Sequence, residues 1–354
     1  MDIASSVPQG QYVFTEMDLV AFGPGSAERL RTEVERLNAE RALLVTTGSL
    51  AAGSGAIDRV RRLLGDRLAG EFAGVRQHAP ASGVVSLVTE ARRLEADLFV
   101  SLGGGSVIDT AKAATLALAR DTGTFLQHVA LPTTLSASEF SPLFGVTDDE
   151  TRIKTGGSSP FVVPQVVILD AELVRETPDW LWLASGVRAL DHAVETIYAA
   201  DHQPVTDATS AEAIRLLFEH LPESVGEGDL VAARHQCQMA AWLSFFGVSN
   251  ITLGLSHVLG RELGSRYGIA HGHTSAILLP AVMASLLPET AERQELIARA
   301  AGRSQAAEAG PAVYELVRAL GLPQRLRDVG VPRDDLAGLA AGRGRVLRIL
   351  EATW

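Results

Sequence analysis

The chain is short of cysteine, of positive charge and of long apolar runs. Cys237 is the only cysteine among 354 residues. A single thiol can close no internal disulfide and build no thiolate metal cluster, a pattern compatible with a reducing cytoplasm. Lys and Arg number 31 against 42 Asp and Glu, a formal net charge of −11. Such a field repels a phosphate backbone, so no nucleic-acid partner is expected. No uninterrupted apolar run is long enough to span a bilayer. The opening Met1-Asp2-Ile3-Ala4-Ser5-Ser6 has no basic segment followed by an apolar stretch, so it does not read as a signal peptide. Aromatic residues make up only 5%. What is present in quantity is ordinary globular material, 47% hydrophobic and 21% charged. That excludes a disordered chain. The length suggests two domains. A cytoplasmic enzyme or binding protein, off the membrane, is the expectation.

The two halves differ in pattern. Ala42–Thr46 reads as a buried strand, Thr47-Gly48-Ser49 as a loop, and Ala56–Leu64 as a helix. Phe72–Val75 is a weaker strand. Val84–Leu94 has helical spacing, with Arg92 and Arg93 near the end that favours cations. Leu98–Leu102 is the next buried strand. This alternation implies a parallel sheet covered on both faces. Pro132–Leu169 reads as loops and a hairpin, ending in the strand Val166–Leu169. After Asp170 the pattern is helical almost throughout, as in Ser185–Tyr198, Thr209–Leu221, Ala232–Phe246 and Ala312–Leu320. The expected division is an α/β domain over residues 1–173 and an all-helical domain over 174–354.

Gly103-Gly104-Gly105-Ser106 follows a strand and opens a helix. Consecutive glycines let the backbone approach an anion, and the helix start offers free N–H groups. Ser106 is a candidate cap or phosphate donor. By glycine count alone, a tight turn with no ligand is an equal reading; the strand-to-helix context favours phosphate. Pro132-Thr133-Thr134, with Ser136, Ser138 and Glu139, forms a hydroxyl-rich loop after the strand Val129-Ala130-Leu131. In isolation it reads as a solvated loop.

His192 lies four residues after Arg188, and His257 four residues before Arg261, each pair on one helical face. His271 and His273 follow. Three histidines converging from separate elements can bind zinc or iron(II). Each one singly is more often a surface or core residue.

Together these motifs resemble the iron-containing alcohol dehydrogenase superfamily, with its dehydroquinate synthase-like fold. The cofactor-loop signature is Gly103-Gly104-Gly105-Ser106-x-x-Asp109-x-Ala111-Lys112. A second motif is Pro132-Thr133-Thr134-x-x-x-Ser138-Glu139. Leu131–Thr147, Lys154-Thr155-Gly156 and Asp170-Ala171-Glu172-Leu173 are most similar to the maleylacetate reductase branch. The resemblance implies an N-terminal α/β dinucleotide-binding domain and a C-terminal all-helical domain, with the cofactor in the cleft between them. It puts pyrophosphate on Gly103, Gly104, Gly105 and Ser106. Asp109, Thr133, Thr134 and Ser138 join the cofactor residues.

Metal-dependent members use an aspartate, a histidine four residues later, and two histidines fourteen apart. His192, His257 and His271 match the histidines, but Arg188 stands at the aspartate. A guanidinium repels a cation, so no tightly bound metal is expected. Arg261 occupies the position of a histidine implicated in proton transfer. Arginine is a poor proton shuttle and a good carboxylate clamp. Both departures suit a small carboxylate-bearing substrate, unless each arginine merely pairs with an acid such as Glu195 or Glu262.

The expected activity is NADH- or NADPH-dependent reduction of an unsaturated or oxo-acid. Arg188 and Arg261 would orient the carboxylates, and His192, His257 or His271 would donate the proton, with His273 a weaker candidate. An acid closing the strand near Thr47 would grip the ribose 2′-hydroxyl; none is there, so NADPH should be tolerated beside NADH. The alternative is a non-redox lyase, isomerase or cyclase on the same scaffold. The resemblance also implies a homodimer, joined around Tyr12-Val13-Phe14.

Overall fold

The computed structural model describes residues 10–354; the Met1–Ser6 stretch lies outside them. Eight strands occur among the described residues: β1 (Leu19–Phe22), β2 (Ala42–Thr47), β3 (Leu68–Val75), β4 (Leu98–Gly103), β5 (Gln127–Pro132), β6 (Leu143–Thr147), β7 (Lys154–Ser158) and β8 (Val166–Leu169). Six of them form a parallel sheet in the order β1-β8-β5-β4-β2-β3, while β6 and β7 pair as a separate antiparallel hairpin.

Alternation along the strands feeds two apolar layers. Leu44, Val100 and Leu102 point to one face, where α1 (Arg29–Arg36) brings Leu30 and Val34 and α3 (Gly55–Leu64) brings Ile57 and Val60. Leu43, Val45 and Phe99 point to the other. There α4 (Ala81–Arg93) brings Leu87, and α5 (Gly105–Thr122) brings Val107, Ala111 and Leu118. Both faces are dry, which is why these strands read as continuous apolar runs.

Two local expectations need correction. The Thr47–Ser49 segment is not a loop: Thr47 ends β2 and caps the short helix α2 (Gly48–Ala51). The strand expected from Phe72 begins four residues earlier, at Leu68. It is an edge strand whose first half, Leu68-Ala69-Gly70-Glu71, is only half-buried, so its apolar signal is weak.

Beyond Leu169 the described residues form helices only: α6 (Asp179–Tyr198), α7 (Pro204–His220), α8 (Val231–Phe245), α9 (Leu255–Tyr267), α10 (His271–Ala300), α11 (Ala309–Ala319), α12 (Leu336–Ala340) and α13 (Gly344–Thr353), with short 3-10 turns. Their main core gathers Val187, Leu190 and Val194 of α6 with Leu217, Leu279, Met283 and Val313. Helix α10 has the length and composition of a membrane span. Its apolar residues Leu279 and Met283 are instead packed into this core, and Pro280, Pro288 and a non-helical Thr290 interrupt it. The two parts of the chain meet where Ala130 and Val167 of the sheet touch Phe245 and Val248.

Candidate active site

Strands β2 and β4 are neighbours, but the next strand after β2 lies on one side and the next after β4 on the other. Ligands of open parallel sheets bind at the carboxyl ends of strands where the chain diverges in this way. The glycine loop stands there. A Cβ on Gly104 would sit 2.8 Å from Thr134 Cγ2, and one on Gly105 2.9 Å from Ser136 Oγ. Thr134 Oγ1 and Ser136 Oγ are buried hydroxyls with no protein partner. Bare glycines, orphaned hydroxyls and the first turn of α5 make a cradle that fits a dinucleotide pyrophosphate.

Other residues singled out for the cofactor are engaged with the protein. Ser106 Oγ accepts the His78 N–H at 3.0 Å. Asp109 accepts the Ser138 hydroxyl at 2.5 Å and the Gly145 N–H at 3.1 Å, tying the β6–β7 hairpin to α5. The Thr133 N–H donates to the Gly103 carbonyl at 3.0 Å. Lys112, fully buried one turn after Ile108, donates to the carbonyls of Ser138, Ser141 and Leu143. Burial pushes its ammonium down to about 8, and burial pushes the neighbouring Glu139 carboxyl up to about 7.

On the helical side, α6 turns Arg188, Asp191, His192 and Glu195 to one face, at the helical spacing of three and four. Helix α9 presents His257 and α10 begins with His271. A Cβ on Gly272 would lie 2.0 Å from the Ala184 carbonyl, so only glycine lets α10 start this close to α6. The rings of His192 and His257 are 4.8 Å apart. His257 Nδ1 is 2.7 Å from Glu195 Oε2, which also accepts the His257 backbone N–H at 3.2 Å. Asp191 Oδ2 accepts from Ser275 at 2.6 Å, Ser256 at 3.0 Å and Arg188 at 3.3 Å. His192 Nδ1, His257 Nε2 and His271 Nδ1 are buried and have no partner.

Burial, followed by the Arg188 charge, pushes His257 down to about 3. Burial and then neighbouring His257 and Arg188 hold His192 well below the ordinary range, and burial, Lys154 and Arg188 do the same to His271. All three are therefore neutral at pH 7. Burial raises the Asp191 and Glu195 carboxyls.

The two arginines are not equivalent. Arg188 is paired, with Asp191 and Ser275, rather than with Glu195 or Glu262. Arg261 is exposed, with no carboxylate in ion-pair range among the described residues; its Nη1 lies 3.9 Å from where a Gly156 Cβ would stand. A third cation joins them. Lys154, at the start of β7, is half-buried, 3.3 Å from His271 Nε2 and 3.9 Å from Asp109. Burial lowers its pKa, Asp109 opposes that, and Arg188 and Arg261 lower it further, so all three cations share one field. His273 is apart from this group, 6.1 Å from the Trp180 ring.

Could these residues hold the metal of the resembled family? Asp191, Glu195 and His257 present ligand atoms within 4.8 Å of one another. Asp191 Oδ2 and both Glu195 oxygens, however, already accept from Ser256, Ser275, Arg188 and His257 itself. The His257 nitrogen left over, Nε2, is on the opposite edge of the ring. Asp191 Oδ1 is buried without a partner, as are the three histidine nitrogens, but Arg188 and Lys154 would repel a cation placed among them. What weighs against a divalent metal is therefore the pair of cations and not a lack of donor atoms.

Reading the sequence missed Asp191, Glu195, Lys154 and His78 as parts of the site. For Asp191 and Glu195 a signal existed: they share the Arg188–His192 face of a helix apolar nearly all round. Lys154 and His78 gave none, because only the folded hairpin and the β3–α4 turn bring them to the histidines.

Family models for iron-containing alcohol dehydrogenase match residues 19–171, and for the Fe-containing alcohol dehydrogenase family, C-terminal, residues 182–343. Maleylacetate reductase of Sphingobium indicum is 33% identical over 332 residues, covering 94% of this chain and 90% of the relative. Maleylacetate reductase 2 of Cupriavidus pinatubonensis is 38% identical over 301 residues, 84% of this chain and 80% of the relative. The crystal structure of maleylacetate reductase from Agrobacterium tumefaciens superposes with a TM-score of 0.87 at 28% identity, over 98% of this chain and 99% of that one. Fold, matched segments and relatives agree: the chain belongs to the iron-containing alcohol dehydrogenase superfamily of NAD(P)-dependent oxidoreductases and is similar to the maleylacetate reductases.

Proposed function

We propose that the protein is an NADH- or NADPH-dependent reductase of a small unsaturated or oxo-acid, maleylacetate or a close relative in chemistry, and that it works without a bound metal. The observation carrying this is the gathering of Arg188, Arg261 and Lys154 around three histidines at the mouth of the glycine cradle. Residues 1–173 hold the cofactor in this reading, and residues 174–354 supply most of the substrate side.

The reduced nicotinamide supplies a hydride. Gly104, Gly105, Thr134 and Ser136 hold its pyrophosphate. The absence of an acid at Thr47, which caps α2 instead, leaves room for a 2′-phosphate. Arg188 and Arg261 bind the carboxylates and stabilise enolate charge as it forms. Glu195 holds the Nδ1–H of His257, so Nε2 takes up a proton from solvent when the acid binds and then donates it to the reduced substrate. Because the histidines are neutral in the empty site, bound acid matters twice. Its negative charge offsets Arg188 and Lys154 and lifts the histidine pKa toward neutrality, making proton donation conditional on substrate.

We further propose a cytoplasmic homodimer. Family resemblance supports it, as do Val13 and Phe14, 63% and 75% exposed near the chain start. Light scattering on the purified protein tests the oligomeric state. The reductase reading is tested by mixing protein with NADH or NADPH and maleylacetate and following nicotinamide oxidation. No turnover across a panel of unsaturated and 3-oxo acids would sink it.

A further inference from the structure

The turn between β3 and α4 runs Arg76-Gln77-His78-Ala79-Pro80. Its backbone does something unusual. His78 has φ +65° and Ala79 φ +49°, two consecutive non-glycine residues in the left-handed region. Side chains rarely adopt that conformation, and it persists only where the surroundings over-determine it.

Here they do. The His78 N–H donates to Ser106 Oγ at 3.0 Å, on the glycine loop. The His78 carbonyl accepts the Thr147 hydroxyl at 2.7 Å, and the Ala79 carbonyl accepts the Thr147 N–H at 3.0 Å, both from the hairpin strand β6. These are backbone bonds that any residue at position 78 could make, and glycine or asparagine would make them with less strain. The histidine side chain is therefore not explained by the turn.

The side chain points across the cleft. It is 9% exposed, and its ring stands edge-on to His271, centroids 5.3 Å apart and planes at 85°. Lys154 and Arg152 are its charged neighbours, and the ring hydrogen-bonds the Gly268 backbone through its other nitrogen. Nε2 is buried with no hydrogen-bond partner. A buried ring nitrogen without a partner is costly unless something else meets it. The ring lies between the loop that cradles pyrophosphate and the cluster that gathers carboxylate-binding cations, where the two ligands would meet.

We propose that His78 is a substrate-contacting residue supplied by the N-terminal domain, whose Nε2 hydrogen-bonds the bound acid opposite His271. The strained turn is what aims it, and Ser106 and Thr147 fix the turn to the cofactor loop and to the hairpin bearing Lys154. The inference rests on the reading of the site as a carboxylic-acid reductase.

Two measurements on the full-length protein test it. In the first, His78→Asn keeps a residue at ease in the left-handed region. Its Tm should equal or exceed that of the parent. The KM for the acid should rise, or kcat fall, at least tenfold, while NADPH affinity by nicotinamide fluorescence stays within twofold. Acid kinetics within twofold of the parent, or a loss confined to NADPH affinity, would overturn the proposal. In the second, protein labelled with 15N-histidine and loaded with NADP⁺ is titrated with maleate, a non-reacting dicarboxylate. The His78 ring resonances, assigned by their absence in His78→Asn, should shift on saturation; unshifted resonances at saturating maleate also refute it. That readout needs no turnover, so a parent enzyme inactive on every acid would refute the reductase reading and still leave this one judged by the titration.

Discussion

Glu195 accepts the Nδ1 proton of His257 at 2.7 Å and thereby leaves Nε2 of the same ring bare inside the cleft. A carboxylate held against one nitrogen fixes the tautomer of the ring and its aim. Here the carboxylate is itself fixed, by the Ser256 N–H at 2.7 Å and the His257 N–H at 3.2 Å. Glu195→Gln preserves shape but removes the anion. Steady-state kinetics should show kcat reduced by about 10- to 100-fold with KM for NADPH unchanged. A change confined to the NADPH term would contradict the role given to this pair.

Arg188 stands where its charge discourages a cation between His192, His257 and His271. Arg188→Asp reverses the local sign and supplies an anionic fourth ligand. Elemental analysis after dialysis against zinc should rise from well under a tenth of an equivalent to about one per chain, as four-ligand sites require. The same variant should lose acid affinity by about 100-fold, because a carboxylate clamp has been replaced by a repelling charge. Near-stoichiometric metal in the unaltered protein, restoring activity after chelation, is the result that contradicts the metal-free reading.

The glycine cradle makes a separate claim. Gly104→Ala would force a methyl to within 2.8 Å of Thr134 Cγ2, and a fluorescence titration should show NADPH binding weakened by about 100-fold. Thr47→Asp adds the missing acid at the end of β2. It should raise KM for NADPH at least tenfold while leaving NADH within about threefold.

His128 gives a clean test of pH dependence, remote from the ligands. It is buried within strand β5, with Nε2 2.7 Å from Ser101 Oγ and Nδ1 unpartnered. Burial pushes it down to about 3, against 6.5 in the unfolded chain. A depressed folded pKa means that folding expels the proton. Its stabilising share is full above pH 6.5 and is lost as pH falls from 6.5 through 3. At pH 5 the loss amounts to about 2 kcal/mol. Raised carboxyls such as Glu139 push the other way, so the comparison is with His128→Gln. Urea melts at pH 7 and pH 5 should show the parent losing about 2 kcal/mol more than the variant.

Much of the architecture is legible in the sequence because parallel strands covered on both faces must be apolar at every position. Leu98–Leu102 is such a run, whereas the first half of β3, half-buried at the sheet edge, is not. The histidine and arginine pairs are legible through helical spacing. Distances between elements are not: nothing in the run Lys154-Thr155-Gly156 shows that a hairpin will carry that ammonium to within 3.3 Å of His271. Nor does the cofactor signature reveal that Asp109 and Lys112 serve to anchor that hairpin. These residues act through the loops they hold, and such roles appear only in three dimensions.

The enclosure of Lys154 and Arg188 has a kinetic meaning. The protein carries a net charge of −11, so at long range an approaching dianion is repelled rather than steered. The two interior cations have little solvent contact and face the acid only at the end of its path. Encounter should consequently quicken when added salt screens the exterior and slow again only once salt reaches the interior. Discrimination among acids thus falls to dissociation from the pocket, not to capture from solution.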